Sequence, residues 1–378
     1  MVAKALDLFV RELNLAVWNE DQADVQYLGE GSSHELAALL LTEAVQHSLY
    51  TAKNPLFALY LDAQSAFDTV LRKTLVTNLF HCGTTDGSLL YIDNWLASRT
   101  TFVEWNKQIM GPIQDELGLE QGGANSGDLY KVHGKEQLIA AQSSGLGVKI
   151  GAKTISAIGQ ADDTVIISNS LDNIHNLLQL TLDFCRRYHV KLCFEKTKLQ
   201  VIYTPTMANF VEYSKLISPV NIEGKYIPFV DSAEHVGILR NSFGNLPNIL
   251  NRIKAHRSAM GAVLHSGIAR NHRGNPAASI KIEKLHGTPV LLSGLGALVL
   301  LKPEIQSIDH HHKVILENLM RLHPRTPQCV VSFLAGSLPG TALVHQRMLG
   351  IFGMICRLKD DILNHLATQM LIAAKPST

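Results

Sequence analysis

Residues 153–168 read KTISAIGQADDTVIIS. An apolar run, an Ala-Asp-Asp turn at 161–163 and a second run rich in β-branched residues predict two antiparallel strands joined by a tight turn. By itself an Asp-Asp pair in a turn reads as an ordinary solvated turn. It gains meaning from a second stretch, residues 55–68, PLFALYLDAQSAFD, where another short apolar run ends in an acid, Asp62. That pattern predicts a buried strand carrying a carboxylate at its tip. Like charges about 4 Å apart repel by roughly 4 kcal/mol at an effective dielectric near 20, and an unpaired carboxylate is penalised in apolar surroundings. A divalent cation would neutralise such a cluster. Mg²⁺ (or Mn²⁺) suits it, because Mg²⁺ prefers hard oxygen ligands and often takes one or two carboxylates plus substrate phosphates. Two such ions clamp the attacking and leaving oxygens of a phosphoryl displacement.

Around these two segments the chain alternates strand and helix signals. Residues 5–18 and 34–50 show helical apolar spacing; in the second, Leu36, Leu39, Leu40 and Ala44 share a stripe, with Ser32 or Ser33 as N-cap. Asp68 to Leu79 read as helix, and a loop of Gly, Asn and Ser follows at Gly118–Gly127. The clearest helix starts after Ser170, a candidate cap, with Ile174, Leu177, Leu178, Thr181, Cys185 and Tyr188 on one face. Val190–Tyr203 can return to the sheet, and from about residue 245 the pattern is mostly helical. The order predicts an α+β fold: an antiparallel sheet with helices on one face, then a helical appendage.

Composition sets the class. Hydrophobic residues make up 46% of 378 and charged residues 18%, enough for a large core and against wholesale disorder. Cys82, Cys185, Cys193, Cys329 and Cys356 form no C-x-x-C pair, so neither a zinc site nor a disulfide framework is signalled, and an intracellular, reduced protein fits. No signal peptide is evident. The most apolar stretch, Thr288–Leu301, is shorter than the ~20 residues of a membrane span and reads as a buried core helix. Net charge is +1, but Arg252–His286 carries seven Lys/Arg against one acid, while residues 1–62 hold nine acids and three bases. The basic run reads either as a phosphate-gripping face or as a solvated helix face.

At these residues the chain resembles the polymerase core of reverse transcriptases of non-LTR (LINE-type) retrotransposons, in the family's motif order over about residues 22–240. Leu61-Asp62 through Ala66-Phe67-Asp68 is similar to the first palm motif; the resemblance implies Asp62 as a metal ligand and Phe67 as the aromatic gate that crowds a ribonucleotide 2′-hydroxyl, the plain alternative for Phe67 being core packing. Leu119-Glu120-Gln121-Gly122-Gly123-Ala124-Asn125-Ser126 resembles the second, implying that Gln121 and Gly122 line the nucleotide pocket. Ala161-Asp162-Asp163 resembles the third, with Asp162 the second metal ligand and Asp163 supporting the cluster; Gln160 replaces the usual aromatic residue. Glu195-Lys196-Thr197-Lys198 resembles the fourth, and Lys196 would act on the pyrophosphate leaving group. His235-Val236-Gly237-Ile238 fits the motif that holds the primer end, through Gly237. Upstream, Gln26 to His34 resembles the end of the fingers, with Glu30 where a phosphate-contacting cation is wanted.

The resemblance implies RNA-directed DNA synthesis, with an RNA template, a DNA primer and deoxynucleoside triphosphates as partners, and no membrane. The rival reading is a catalytically inactive retrotransposon remnant that keeps the fold and binds nucleic acid or nothing at all. The expected division is partial fingers at 1–54, palm at 55–244, a thumb-like basic helical region at 245–300 and a helical extension at 301–378. Arg252, Lys254, Arg257, Arg270 and Arg273 are the candidate contacts to the template–primer backbone. No endonuclease segment is expected in this stretch, so target nicking would come from another chain, in the nucleus or the cytoplasm. The run Asp309-His310-His311-His312 is expected to be a solvated helix face rather than a metal site.

Overall fold

The computed structural model describes residues 34–114, 116–123, 125–160, 162–217, 219–222, 224–265, 275–357 and 368. The expected helix at 5–18, the caps Ser32 and Ser33, the finger-like segment before His34, and Arg270 and Arg273 lie outside the described residues. The chain divides into two compact units, one built on residues 44–230 and the other on residues 34–43 with 231–357.

Helix α1 (His34–Gln46) continues into a π turn at His47–Thr51. Its expected stripe is buried, and so are Ala37, Ala38 and Leu41, so the helix is apolar over most of its surface. In the first unit, β1 (Leu56–Leu61) is followed by α2 (Arg72–His81), α3 (Asp86–Ala97) and the hairpin β2 (Thr100–Trp105) and β3 (Gln108–Gln114). Then come α4 (Ser126–Ser143), the hairpin β4 (Val148–Ile150) and β5 (Lys153–Ile155), β6 (Ala157–Gln160), β7 (Asp163–Ser168), α5 (Leu171–Tyr188) and β8 (Lys198–Ile202). Last are α6 (Ala208–Ile217), the hairpin β9 (Asn221–Ile222) and β10 (Lys225–Tyr226), and β11 (Phe229–Val230).

The main sheet has the order β11-β8-β1-β7-β6. Strand β1 is central, and all six of its residues are buried. It runs antiparallel to β7 and β8, as β6 does to β7, but β11 joins β8 in parallel. The sheet is therefore mixed rather than wholly antiparallel. The long connection through α6 and the β9–β10 hairpin supplies the crossover that a parallel pair needs. Phe57, Leu59 and Leu61 of β1, with Ile166, Leu199 and Val201, pack on Ile174, Leu177 and Leu178 of α5. Ser170 sits at the N-cap of α5, but its side chain makes no capping hydrogen bond. A second cluster joins Leu75 and Leu79 of α2, Ile92 and Leu96 of α3, and Leu129 and Val132 of α4. The expected strand over 153–160 is broken at Ser156: β5 pairs with β4, and β6 pairs with β7.

The second unit contains the hairpin β12 (Ser232–His235) and β13 (Ile238–Asn241), then α7 (Leu246–His265), α8 (Pro276–Ile282), a π turn at Glu283–Gly287, α9 (Thr288–Leu292), α10 (Lys302–Met320), α11 (Gln328–Ala335) and α12 (Gly340–Ile355). Met260, Ile280, Ile315, Leu316, Leu319 and Val331 form its core. Arg240 of β13 donates to the Thr42 hydroxyl at 2.7 Å and to the Ala38 carbonyl at 2.5 Å, tying α1 to the hairpin. Two sequence expectations fail here. Thr288–Leu301 is no continuous helix: α9 stops at Leu292, and Gly294 adopts φ +73 before a short 3₁₀ turn. The face carrying His311 and His312 is not solvated, since both are buried while His310 is exposed. Among the described residues no helix is long and apolar enough to cross a membrane.

Candidate polymerase active site

The register of the sheet brings the two acidic segments together. Leu61 pairs with Thr164, and the next step of that register sets Asp62 opposite Asp163. Gln160 pairs with Asp163 across the β6–β7 hairpin, leaving Asp162 in the turn, where both aspartates are exposed. Ala161 lies outside the described residues. The carboxylates therefore stand at one end of the sheet on β1 and the β6–β7 turn, reached from opposite halves of the first unit's sequence.

The fourth segment closes on the same tip. Ala63 bridges to Leu192, Gln64 N–H donates to Lys191 O at 2.7 Å, and Cys193 N–H donates to Asp62 O at 2.8 Å. A tight turn follows, with Thr197 N–H donating to Cys193 O at 2.9 Å. It leaves Lys196 Nζ 3.2 Å from Asp62 Oδ2. The hydrogen bond to Asp62 and its charge, with a smaller contribution from Asp162, hold the Lys196 ammonium above its ordinary value.

The second segment is fastened beside the first by the backbone. Leu119 N–H donates to Phe67 O at 2.8 Å, Gly118 N–H donates to Val70 O at 2.9 Å, and Leu71 bridges to Leu117. These bonds hold residues 67–71 extended, so α2 begins at Arg72 rather than at Asp68 as its apolar pattern suggests. Gly118 has φ +82, and a Cβ there would lie 2.8 Å from Asp68 O, so only glycine fits this crossing. Gln121 and Gly122 follow in an exposed turn, Gly122 at φ +83 with open space where a side chain would be. That gap leaves the backbone accessible to a ligand.

Phe67 is partly buried and stacks on Tyr130 of α4, with centroids 4.7 Å apart and planes at 27°. Behind it, His133, Phe184 and Tyr188 continue the aromatic wall. Burial first, then the charges of Asp162, Cys185 and Asp62, hold the Tyr130 phenol far above its usual range. The same ring thus touches the candidate sugar gate and feels both candidate metal ligands. A cavity of about 40 Å³ lies behind the tip, with Leu61, Tyr130, Gly159 and Asp162 in its walls. Sequence reasoning did not single out Tyr130. The available signal was helical spacing, since Ser126, Leu129, Tyr130 and His133 fall on the buried face of α4.

The remaining candidates lie in the second unit. Gly237 turns the β12–β13 hairpin at φ +73. Arg252 donates to its carbonyl and is half-buried, and burial lowers its guanidinium from the ordinary value. Lys254 and Arg257 are exposed on α7.

A family model described as reverse transcriptase (RNA-dependent DNA polymerase) matches residues 4–227. The chain belongs to the reverse transcriptase family. No curated protein sequence matches this reverse transcriptase. Among solved structures it is similar to apo telomerase from Candida tropicalis, with 12% identity and a TM-score of 0.48, covering 100% of this chain and 60% of the other. The Candida tropicalis telomerase in complex with a fragment of telomeric RNA gives 10% identity and 0.45, over 97% of this chain and 56% of that one. The Candida albicans complex gives 10% and 0.40, over 94% and 55%. The chain thus spans little more than half the length of these telomerases. Likeness at this level decides neither substrate nor partner.

Proposed function

We propose that this reverse transcriptase extends a DNA primer on an RNA template, and that it is of the LINE type, with residues 55–244 as palm and 245–300 as thumb. The observation carrying this reading is the meeting of Asp62 with the Asp162–Asp163 turn at one sheet end, under Lys196. The donor set fits Mg²⁺ or Mn²⁺: hard carboxylate oxygens, half-buried at Asp62 and exposed at Asp162 and Asp163, where a lysine already neutralises Asp62. Among the described residues no group of three or more His, Cys, Asp or Glu forms a metal cage. Asp62 and Asp162 would hold the metal, with Asp163 supporting the cluster and water and nucleotide phosphates completing the shell. When bound, the metal supplies charge neutralisation at the primer 3′-oxygen and at the leaving pyrophosphate.

The chain's own residues do the rest. Lys196 leaves Asp62 to meet the departing pyrophosphate. Phe67 packs beneath the sugar and excludes a 2′-hydroxyl. Gln121 and the bare backbone at Gly122 border the incoming deoxynucleotide. The test is primer extension on poly(rA)–oligo(dT) with Mg²⁺ or Mn²⁺, with Asp162→Ala and Asp62→Asn as controls. Loss of the metal's several kcal/mol lowers the rate about 1,000-fold or more. Wild-type extension no greater than that of the variants would defeat the enzymatic reading.

One observation favours the second reading, an inactive member that keeps the fold and nucleic-acid binding. The Gln160 side-chain oxygen is buried without a hydrogen-bond partner, next to the catalytic turn, where the family carries an aromatic ring. Salt-dependent nucleic-acid binding without extension is its signature.

A further inference from the structure

The second unit buries a cluster of ionisable side chains for which the polymerase reading has no use. Glu283, His256 and His312 are fully buried, and His311 is 4% exposed. Glu283 Oε1 lies 3.3 Å from His312 Nε2 and 3.6 Å from His256 Nε2, and it accepts the Thr288 hydroxyl at 2.7 Å. On the other side of its ring, His256 Nδ1 is 3.0 Å from His311 Nε2. Helix α7 contributes His256, the π turn Glu283, α9 Thr288, and α10 both His311 and His312. The cluster therefore ties together four stretches of the unit.

The backbone is shaped around it. A π turn is a rare element, frequently found at functional sites. Gly287, which ends it, lies so close to His256 that a Cβ would sit 2.9 Å from Nε2. Polar satisfaction is incomplete: His256 Nε2, Glu283 Oε2 and both ring nitrogens of His312 are buried without hydrogen-bond partners. Folded interiors leave few such groups, and each calls for an explanation.

Charge supplies one. A buried carboxylate requires a compensating positive charge. Facing Glu283 are His256 and His312, with the uncharged Thr288 hydroxyl from α9. Facing His311 are His256 and Arg257 from α7 and His312 and His310 from its own helix. Lys281, Lys284 and His286 are exposed on the same stretch, Lys284 donating to the Gly336 carbonyl. On α10, Asp309 accepts from Thr341 N–H, and Lys313 pairs with Glu317. Glu283 is the one acid that faces these rings, so a single positive charge balances it. A second has no acid left to meet and faces imidazolium and Arg257 instead.

We propose that this cluster is a proton-operated lock on the second unit, closed while its histidines share one proton with Glu283 and opened when acid loads another. The direction follows from two groups. Burial pushes the Glu283 carboxyl up, but the His256 and His312 imidazoles that face it bring it down to about 2. Burial, then His256, Arg257 and the neighbouring histidines, lower His311 to about 4. A folded value below the unfolded one gives stability that is present above the unfolded value. For His311 that stability is lost as pH falls from 6.5 through about 4; for Glu283 it is lost only below 4.5.

Hydrogen–deuterium exchange on the full chain between pH 7.5 and 4.5, normalised for intrinsic rates, reads the lock directly. In the wild type, protection in 283–292 and 302–320 falls below pH 6.5 by ~10-fold per pH unit for each proton taken up. In His311→Gln the slope flattens; in Glu283→Gln, where no acid remains to hold a proton on the histidines, it steepens. A flat wild-type profile, or variants with the wild-type slope, overturns the proposal. Histidine-ring NMR on the wild type decides the matter if neither variant folds. His311 must then titrate at the pH where protection is lost, and titration uncoupled from protection overturns the lock. Primer extension plays no part in the readout, so failure here leaves the polymerase reading untouched.

Discussion

On the proposed polymerase reading, the stack of Phe67 on Tyr130 makes sugar selection a property of two residues, only one of which the motif identifies. Phe67 gains its position from a ring held 93% out of solvent by α4. Phe67→Val is expected to relax discrimination against ribonucleotides by up to about 100-fold, the usual limit on how well an apolar pocket rejects an added hydroxyl. Tyr130→Phe keeps the stack and should leave that ratio unchanged, whereas Tyr130→Ala should move it toward the Phe67→Val value. The measurement is the ratio of kcat/KM for dNTP and rNTP in single-nucleotide extension. At this scale the sequence was legible where a local pattern places a residue, as with Asp62 and Asp162 at the ends of apolar runs; the crossing that only Gly118 fits is seen in the fold alone. It was not legible where burial depends on distant packing. His311 and His312 read as a solvated run because adjacent helical positions diverge. Nothing local announces that α7 and the π turn cover both, nor that Arg252 is taken up by the Gly237 carbonyl.

At the scale of elements, the site is assembled by loops crossing one another, and one buried side chain secures the crossing. Arg72, 8% exposed at the start of α2, donates from Nε to Gly118 O at 2.9 Å and from Nη1 to Leu96 O at 2.8 Å. It joins the loop before Gln121 to α2 and α3. Arg72→Met would orphan two buried carbonyls and is expected to cost about 3 kcal/mol, read as a lowered urea midpoint at unchanged m. The helix pair α4–α5 carries a second liability. His133 is 1% exposed in the aromatic wall, both ring nitrogens lack a hydrogen-bond partner, and burial lowers it to about 4. Its folded value lies below its unfolded one, so its stabilising effect is complete above pH 6.5 and disappears as pH falls through about 4. The window is worth about 3 kcal/mol. Denaturation of His133→Phe at pH 7 and pH 4.5 should show that part of the pH dependence removed; an unaltered difference would refute the assignment. The periodicity of α5 and the hairpin around Asp162 were readable because each follows a local pattern. The break in Thr288–Leu301 and the parallel edge at β11 were not, because a left-handed Gly294 and a crossover are decided by tertiary packing.

For the whole molecule, the separation of charge along the sequence matters more than its net value of +1. A polymerase that tracks a duplex needs sequence-independent phosphate contacts, and each neutralised phosphate adds roughly one to the slope of log affinity against log salt. The second unit presents Lys254 and Arg257 to solvent on α7, whereas the Arg252 guanidinium bonds the Gly237 carbonyl. The three basic side chains of this helix are therefore expected to behave differently. Lys254→Ala and Arg257→Ala should each weaken binding to a primer–template of any sequence and lower the salt slope by about 1. Arg252→Ala should leave the slope in place and act through the hairpin, appearing as lost protection of β12 and β13 in hydrogen exchange. Filter binding across a salt series separates these outcomes. Equal slope changes in all three variants would mean that Arg252 leaves Gly237 when nucleic acid arrives. A flat response in the wild type would remove α7 from the nucleic-acid path altogether.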